Sequence, residues 1–224
     1  PKWTVEKQLG RVMGKLERVY WGIDTKISDV IMEMETSGCL IDWKWLTKVE
    51  ERLKTEKLEI ATRMEKFLGW PINPNSVTEC ADALFAPPPD GLGLPLAGIP
   101  IGVSGIPSTA DKVIKHFARF HPLVQDILKW RSHDTVLSSF VTKLIKLATE
   151  SDDGRVYSGF HQTRTVIARL ASSKPINFQN QPREKNLVRR AYVSYRDEID
   201  DPTILLYGGD YSQIELRILA HLAK

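Results

Sequence analysis

The chain has 224 residues, 42% of them hydrophobic and 26% charged, which is ordinary for a globular protein and enough for one large domain or two small ones. No apolar run is long enough to span a bilayer, and Pro1-Lys2-Trp3-Thr4 lacks both a Met and the basic-then-apolar pattern of a secretion signal, so neither a membrane partner nor export is expected. Net charge is only +3, and the two cysteines, Cys39 and Cys80, have no His or Cys at metal-ligand spacing; they read as plain thiols in a reducing compartment.

Residues 1–26 read as a lead-in. Ile27, Val30, Ile31 and Met34 recur at i, i+3, i+4 and i+7, an amphipathic stripe that should stop near Gly38. Asp42 is placed to cap the next helix, which carries Leu46, Val49, Leu53, Ile60, Met64 and Phe67 opposite a densely charged face and ends at Gly69 and Pro71. So long a helix would project unless another lay along it. The partner is predicted to run from Pro122, a good first-turn residue, through Leu123, Ile127, Trp130, Leu137, Val141, Leu144 and Leu147. Two long antiparallel helices make a lever-shaped unit over 27–150. Between them, Ser76-Val77-Thr78-Glu79 and Ser108-Thr109-Ala110-Asp111 have the form of capping boxes that open short helices. The segment Ala86–Pro107 holds six Pro and five Gly in twenty-two residues, and reads as an exposed, partly mobile loop with some apolar residues packed on a neighbouring surface.

Past Gly154 the pattern changes. Arg155–Phe160, Val188–Tyr195 and Thr203–Tyr207 look like strands, and a new helix starts near Ser212. The fold class is therefore α+β: two long antiparallel helices, then an incomplete antiparallel sheet over 151–224. An unfinished sheet exposes an edge and apolar surface, where a partner is expected. Between Gly154 and Arg190, eight basic residues stand among Asn, Gln and Ser against one acidic residue, Glu184. That local excess suits a polyanion, because neutralised phosphates release counterions; a solvated basic face has the same composition.

Asp210 falls where an apolar strand is predicted to end and a helix to begin, a usual position for a metal ligand at a sheet rim. Magnesium prefers one or two carboxylates together with substrate phosphates. An isolated Asp in this position more simply caps the helix. Its neighbours carry more information. Asp210-Tyr211-Ser212-Gln213-Ile214-Glu215-Leu216-Arg217, followed by Ala220-His221-Leu222, closely resembles the first palm motif of the DNA polymerase I family, the family A DNA polymerases. The resemblance implies template-directed DNA synthesis by nucleotidyl transfer to a primer 3′ end with two Mg2+ ions. It further implies that Asp210 is the catalytic, metal-holding carboxylate, assisted by the main-chain carbonyl of Tyr211. Ser212, Gln213, Ile214 and Glu215 would lie against the incoming nucleotide, with Glu215 beside the sugar, rejecting a 2′-hydroxyl by crowding. A glutamate there separates the chain from single-subunit RNA polymerases, which carry a small residue at this place.

Upstream, Gly154-Arg155-Val156, His161-Gln162-Thr163, Arg169-Leu170-Ala171-Ser172-Ser173 and the run Pro175–Pro182 follow one another before that motif. Arg, Asn and Gln on loops and strand ends offer donors to purine N3 and pyrimidine O2, minor-groove acceptors alike in every base pair. A polar network supporting the sheet would use the same residue types. These segments also resemble the polymerase I family, in order and nearly in spacing. The resemblance implies that Arg169 meets the primer-terminal pair while Gln162, Asn177, Gln179 and Asn180 line the nearby duplex. Two departures stand out: Ile167-Ala168 replaces the family's Thr-Gly, and Ile176 is an added residue before Asn177. A weaker likeness covers Val30–Asp42, Phe85, Pro107-Ser108-Thr109 and Leu128-Lys129-Trp130-Arg131. It implies a thumb over 27–150 and a partial palm over 151–224, with Arg131, Ser138 and Ser139 on duplex phosphates. Thr135 stands where relatives often carry a further lysine.

The implied partners are primer-template DNA, deoxynucleoside triphosphates and a second polypeptide carrying the fingers and remaining palm. The family's fingers helix and second metal-binding aspartate are not found here, so the chain alone is expected not to polymerise. A truncated piece, a proteolytic piece or a naturally split polymerase would each fit, in the cytoplasm of a bacterial or phage-infected cell or in an organelle. The alternative is a non-catalytic module that binds duplex DNA, and a helical scaffold without nucleic acid comes third.

Overall fold

The computed structural model describes residues 14, 16–166, 169–182, 186–194 and 206–223. A π-helical turn, Tyr20–Asp24, runs straight into α1, Thr25–Ser37. The apolar stripe is helical as its period requires, yet only half of it finds a partner: Ile31 is buried and Ile27 half-buried, while Val30 and Met34 remain exposed. Helix α1 stops at Gly38, whose φ of 58° and ψ of −174° belong to a region open essentially to glycine. A Cβ there would also lie 2.7 Å from the Tyr157 ring.

Strand β1, Cys39–Leu40, pairs antiparallel with β2, Arg155–Val156, and Ile41 bridges to Tyr192. The Asp42 side chain then accepts from Trp45 N at 2.8 Å and starts α2, Trp43–Leu68, which Gly69 closes in the left-handed conformation. Helix α3, Val77–Phe85, begins with half a capping box. Ser76 Oγ accepts from Glu79 N, but the Glu79 carboxylate accepts from Asn73 N, before the helix. The second expected box does not form: α4, Asp111–Ile114, has Ala110 at its start with no side-chain cap, Ser108 Oγ accepts from Ala110 N instead, and Arg131 holds both the Asp111 carboxylate and the buried Thr109. A 3-10 segment, Lys115–Arg119, continues α4.

The Pro/Gly segment has no long element, but it is well anchored. Leu92 N and Leu94 N donate to Ala83 O and Leu84 O at the end of α3, and Ile99 is buried. Residues 100–108 close a small hairpin through Gly102 N to Ile106 O and Ser108 N to Pro100 O.

From Pro122, one rod comprises α5, Pro122–Val136, a π-helical turn, Leu137–Val141, and α6, Thr142–Glu150. It lies antiparallel to α2. Two buried clusters line the contact. One gathers Leu46, Val49 and Leu53 with Val136, Leu137, Val141, Leu144 and Ala148; the other gathers Ile60 and Met64 with Leu123, Val124 and Ile127. Polar rungs flank them: Glu50 with Thr142 (2.8 Å), Glu56 with His133 (3.0 Å), Lys57 with Asp134 (2.5 Å) and Arg63 with Asp126 (2.6 Å). The first cluster continues past residue 150 into Val156, Ile176, Val188 and Ala191, so the strand-and-loop part shares its core with the helices.

That part is α+β, with less strand than expected. Arg155–Phe160 is broken at Ser158, which turns inward, so β2 is followed by a separate β3, Phe160–His161, paired antiparallel with β4, Ala171–Ser172. Within Val188–Tyr195, Arg189–Ala191 form a 3-10 turn ahead of the Tyr192 bridge. Trp45 holds it curled, donating its indole N–H to Leu187 O (2.9 Å) while Arg190 stacks on the ring. Tyr195 and most of the Thr203–Tyr207 segment lie outside the described residues, and Leu206 and Tyr207 form no strand. The last helix, α7, is Ile214–Leu222. Among the described residues, no helix is long and apolar enough to cross a membrane.

Gly38→Ala should combine an unfavourable backbone conformation with a clash on Tyr157. The expected loss in unfolding free energy is about 1–3 kcal/mol, measured by urea denaturation against the unmodified chain.

Candidate nucleic-acid interface

The loop from β4 to Gln181 is organised by two buried hydroxyls, Ser158 (4% exposed) and Ser172 (7%). Ser158 Oγ lies 2.5 Å from Ile176 O and 3.2 Å from Ser173 O, carbonyls to which it can donate; the two hydroxyls are 3.1 Å apart, and Ser172 Oγ accepts from Phe178 N at 3.1 Å. Glu35 reaches over from α1 to accept from Phe160 N at 2.6 Å. These residues were not singled out for a role from the sequence; the Ala171-Ser172-Ser173 run was the available signal.

On this frame sits the 3-10 turn Phe178–Asn180. Asn177 caps it, accepting from Gln179 N and Asn180 N. The Gln179 amide is used twice, accepting from Ser172 N and donating to Leu170 O, both at 2.8 Å. Asn180 is exposed. Gln162 is tied to α1, donating to Asp24 O at 3.0 Å. Four expected duplex-facing amides therefore divide: Asn177, Gln179 and Asn180 share one turn, while Gln162 belongs to a separate seam with α1. At the base of β2, Asp153 accepts from the Ser151 and Tyr157 hydroxyls and from Arg155 N, which holds its carboxyl down to about 2.

Arg131, read from the sequence as a phosphate ligand, is engaged elsewhere. Its Nε donates to Pro74 O (2.6 Å), and Nη1 donates to Thr109 O (2.6 Å) and Asp111 (2.8 Å). Its side chain is 13% exposed. A guanidinium with most of its donors spent on two segments, around Pro74 and around Thr109–Asp111, is a strut. Ser138 and Ser139 lie on the π-helical turn, Ser138 exposed and Ser139 half-buried.

Asp210, Tyr211, Ser212 and Gln213 precede α7, with Ile214 and Glu215 in its first turn; all are exposed. Glu215 pairs with Arg169, so two residues expected at the site are brought together. The Asp210 carboxylate and Tyr211 carbonyl are hard oxygen donors of the kind magnesium takes. As a metal site they are partial. Among the described residues no group of three His, Cys, Asp or Glu side chains comes together, so an ion at Asp210 would draw its other ligands from elsewhere, substrate phosphates included.

A helical lever that shares its core with a loop frame carrying amide and guanidinium side chains defines an α+β protein. Comparison with known proteins makes this specific. The model of DNA polymerase family A matches residues 43–224, and the chain belongs to that family. It is 33% identical to the thermostable DNA polymerase I of Thermus aquaticus over 96% of this chain and 25% of that protein. It is 31% identical to DNA polymerase I of Bacillus subtilis over 90% of this chain and 22% of that protein. The chain thus spans about a quarter of the length of these curated relatives. A solved structure, the POL domain of Pol1 from M. smegmatis in complex with DNA primer-template and dNTP, matches with a TM-score of 0.71 and 27% identity, covering 89% of this chain and 33% of that one.

Ser172→Ala should leave the Phe178 N–H without its acceptor. The expected cost is about 1–3 kcal/mol, read by denaturant unfolding, with faster hydrogen exchange at the Phe178 amide; unchanged exchange would mean that the hydroxyl does not hold the turn.

Proposed function

We propose that this chain is the duplex-gripping and first metal-binding part of an enzyme of template-directed DNA synthesis, extending a primer 3′ end. The observation that carries the reading is family membership across 43–224, a span that includes both the Asp210–Arg217 string and the Arg169–Gln181 loop. In this reading residues 27–150 are the thumb, after a lead-in over 1–26, and 151–224 are part of the palm. Ser138 and Ser139 meet duplex phosphates from the lever. Arg169 and Asn180 face the minor groove, with Asn177 and Gln179 holding the turn that presents Asn180 and Gln162 tying the neighbouring strand to the helix beside it. Arg131 acts through the segments it braces rather than by touching phosphate.

Asp210, through its carboxylate, and Tyr211, through its carbonyl, would hold magnesium, which would supply charge neutralisation at the nucleotide phosphates and a more acidic primer 3′ hydroxyl. Ser212, Gln213 and Ile214 pack against the deoxynucleoside triphosphate, and Glu215 crowds its 2′ position. One carboxylate cannot hold two ions in working geometry. The remaining ligands, and the cations that grip the triphosphate, would come from fingers and palm residues outside these 224, on the same or another polypeptide. A non-catalytic duplex-binding module is the second reading.

Primer extension with magnesium and deoxynucleotides separates the two readings. Extension is expected only when this chain is mixed with the complementary fragment, falling by a factor on the order of 10³ or more with Asp210→Ala; duplex binding without extension in the mixture would leave the binding module. Arg131→Ala should lower thermal stability yet keep the slope of log K against log salt, since a lost phosphate contact would change that slope by about 0.9.

A further inference from the structure

Every described residue from 206 to 223 is exposed, including the apolar Ile214, Leu216, Ile218 and Leu219 of α7. Nine residues are too few for a helix to be stable alone in water. Among the described residues, this segment is tied to the loop frame by the ion pair of Glu215, in the first turn of α7, with Arg169, at the entry to β4. Arg169 is otherwise free to point outward: its main-chain carbonyl is taken by Thr165 Oγ1 at 2.7 Å, but its side chain is 65% exposed. Under the reading above, which this inference rests on, the two partners have separate ligands, Arg169 a base-pair edge and Glu215 a nucleotide sugar. Here they satisfy each other.

We propose that the Arg169–Glu215 pair is a latch that closes the site before DNA arrives. The guanidinium cannot offer the same donors to a carboxylate and to a minor-groove acceptor, so duplex entry exchanges Glu215 for the terminal base pair. That exchange releases Glu215, so the check on the nucleotide sugar becomes available only after duplex is seated. An exposed pair is weak, and several duplex contacts together displace it. The latch therefore sets order rather than blocking the site.

Four proteins test this: the unmodified chain, Arg169→Ala, Glu215→Gln and the double variant, with fluorescence anisotropy on a labelled primer-template duplex at fixed salt. Glu215→Gln should tighten binding about two- to fivefold, the range an exposed ion pair supports, and this gain should vanish when Arg169 is Ala. Equal tightening in both backgrounds would mean that Glu215 merely repels phosphate, and would overturn the latch while leaving duplex binding intact. In the absence of DNA, Arg169→Ala should speed hydrogen exchange at the amides of α7 by a similar factor; unchanged exchange would overturn the latch from the protein side. Failure of the unmodified chain to bind duplex at all would overturn the functional reading together with the latch.

Discussion

The seam where α2 lies against α5 and α6 supports the rest of the molecule. Its interior is aliphatic, with Leu46, Ile60, Met64, Val124, Ile127, Val141 and Leu144 essentially sealed from water. Burial of that kind supplies free energy at about 25 cal/mol per Å2, but it does not choose a register. The polar rungs do. Lys57 illustrates the point: its ammonium meets Asp134 and also sits 4.0 Å above the Trp130 ring, so sliding the rods by one turn would break both contacts. Such pairs add little net stability, because desolvation offsets attraction, yet they penalise every other alignment.

The loop frame inherits its position from this seam. Val156, Ile176 and Val188 enter the same buried cluster as Leu46 and Val141, so the hydroxyls of Ser158 and Ser172 are sealed beneath a roof fixed by the helices. Polar groups there are economical, and Gln179 shows how. An amide expected to read a base edge already spends its oxygen and its nitrogen on the backbone of its own loop. What remains to reach outward is the exposed Asn180, while the equally exposed Arg169 is paired with Glu215. The rigidity of the platform and the reach of its donors are thus carried by different residues.

Much of the helical part was legible from the sequence because its signals are local. Asp42, Gly69 and Pro122 act within one turn of where they stand, and each does what its chemistry suggests. The errors share a cause in distant contacts. Ser108–Asp111 has capping-box spacing, but Arg131, far along the chain, claims Asp111 and Thr109. Val188–Tyr195 has β-like composition, but Trp45 binds Leu187 and Arg190 and curls it. Ser158 broke a strand because its hydroxyl found Ile176. The residues of the Asp210 string were identifiable only as a string: in isolation each is an exposed polar or apolar side chain with several meanings. No periodicity could have announced that Arg169 would meet Glu215.

The Pro/Gly hairpin has one consequence that concerns solvent rather than shape. In a chain that is 26% charged, Ala86–Pro107 carries a single ionisable side chain, Asp90, while its tip offers Ile101 and Val103 to water. The basic stretch beyond Gly154 is the opposite case. Dissolved salt screens one surface and leaves the other indifferent, or even favours its association when the anion is sulfate. A single molecule therefore presents two faces with opposed responses to ionic strength, and the medium decides which of them is the stickier.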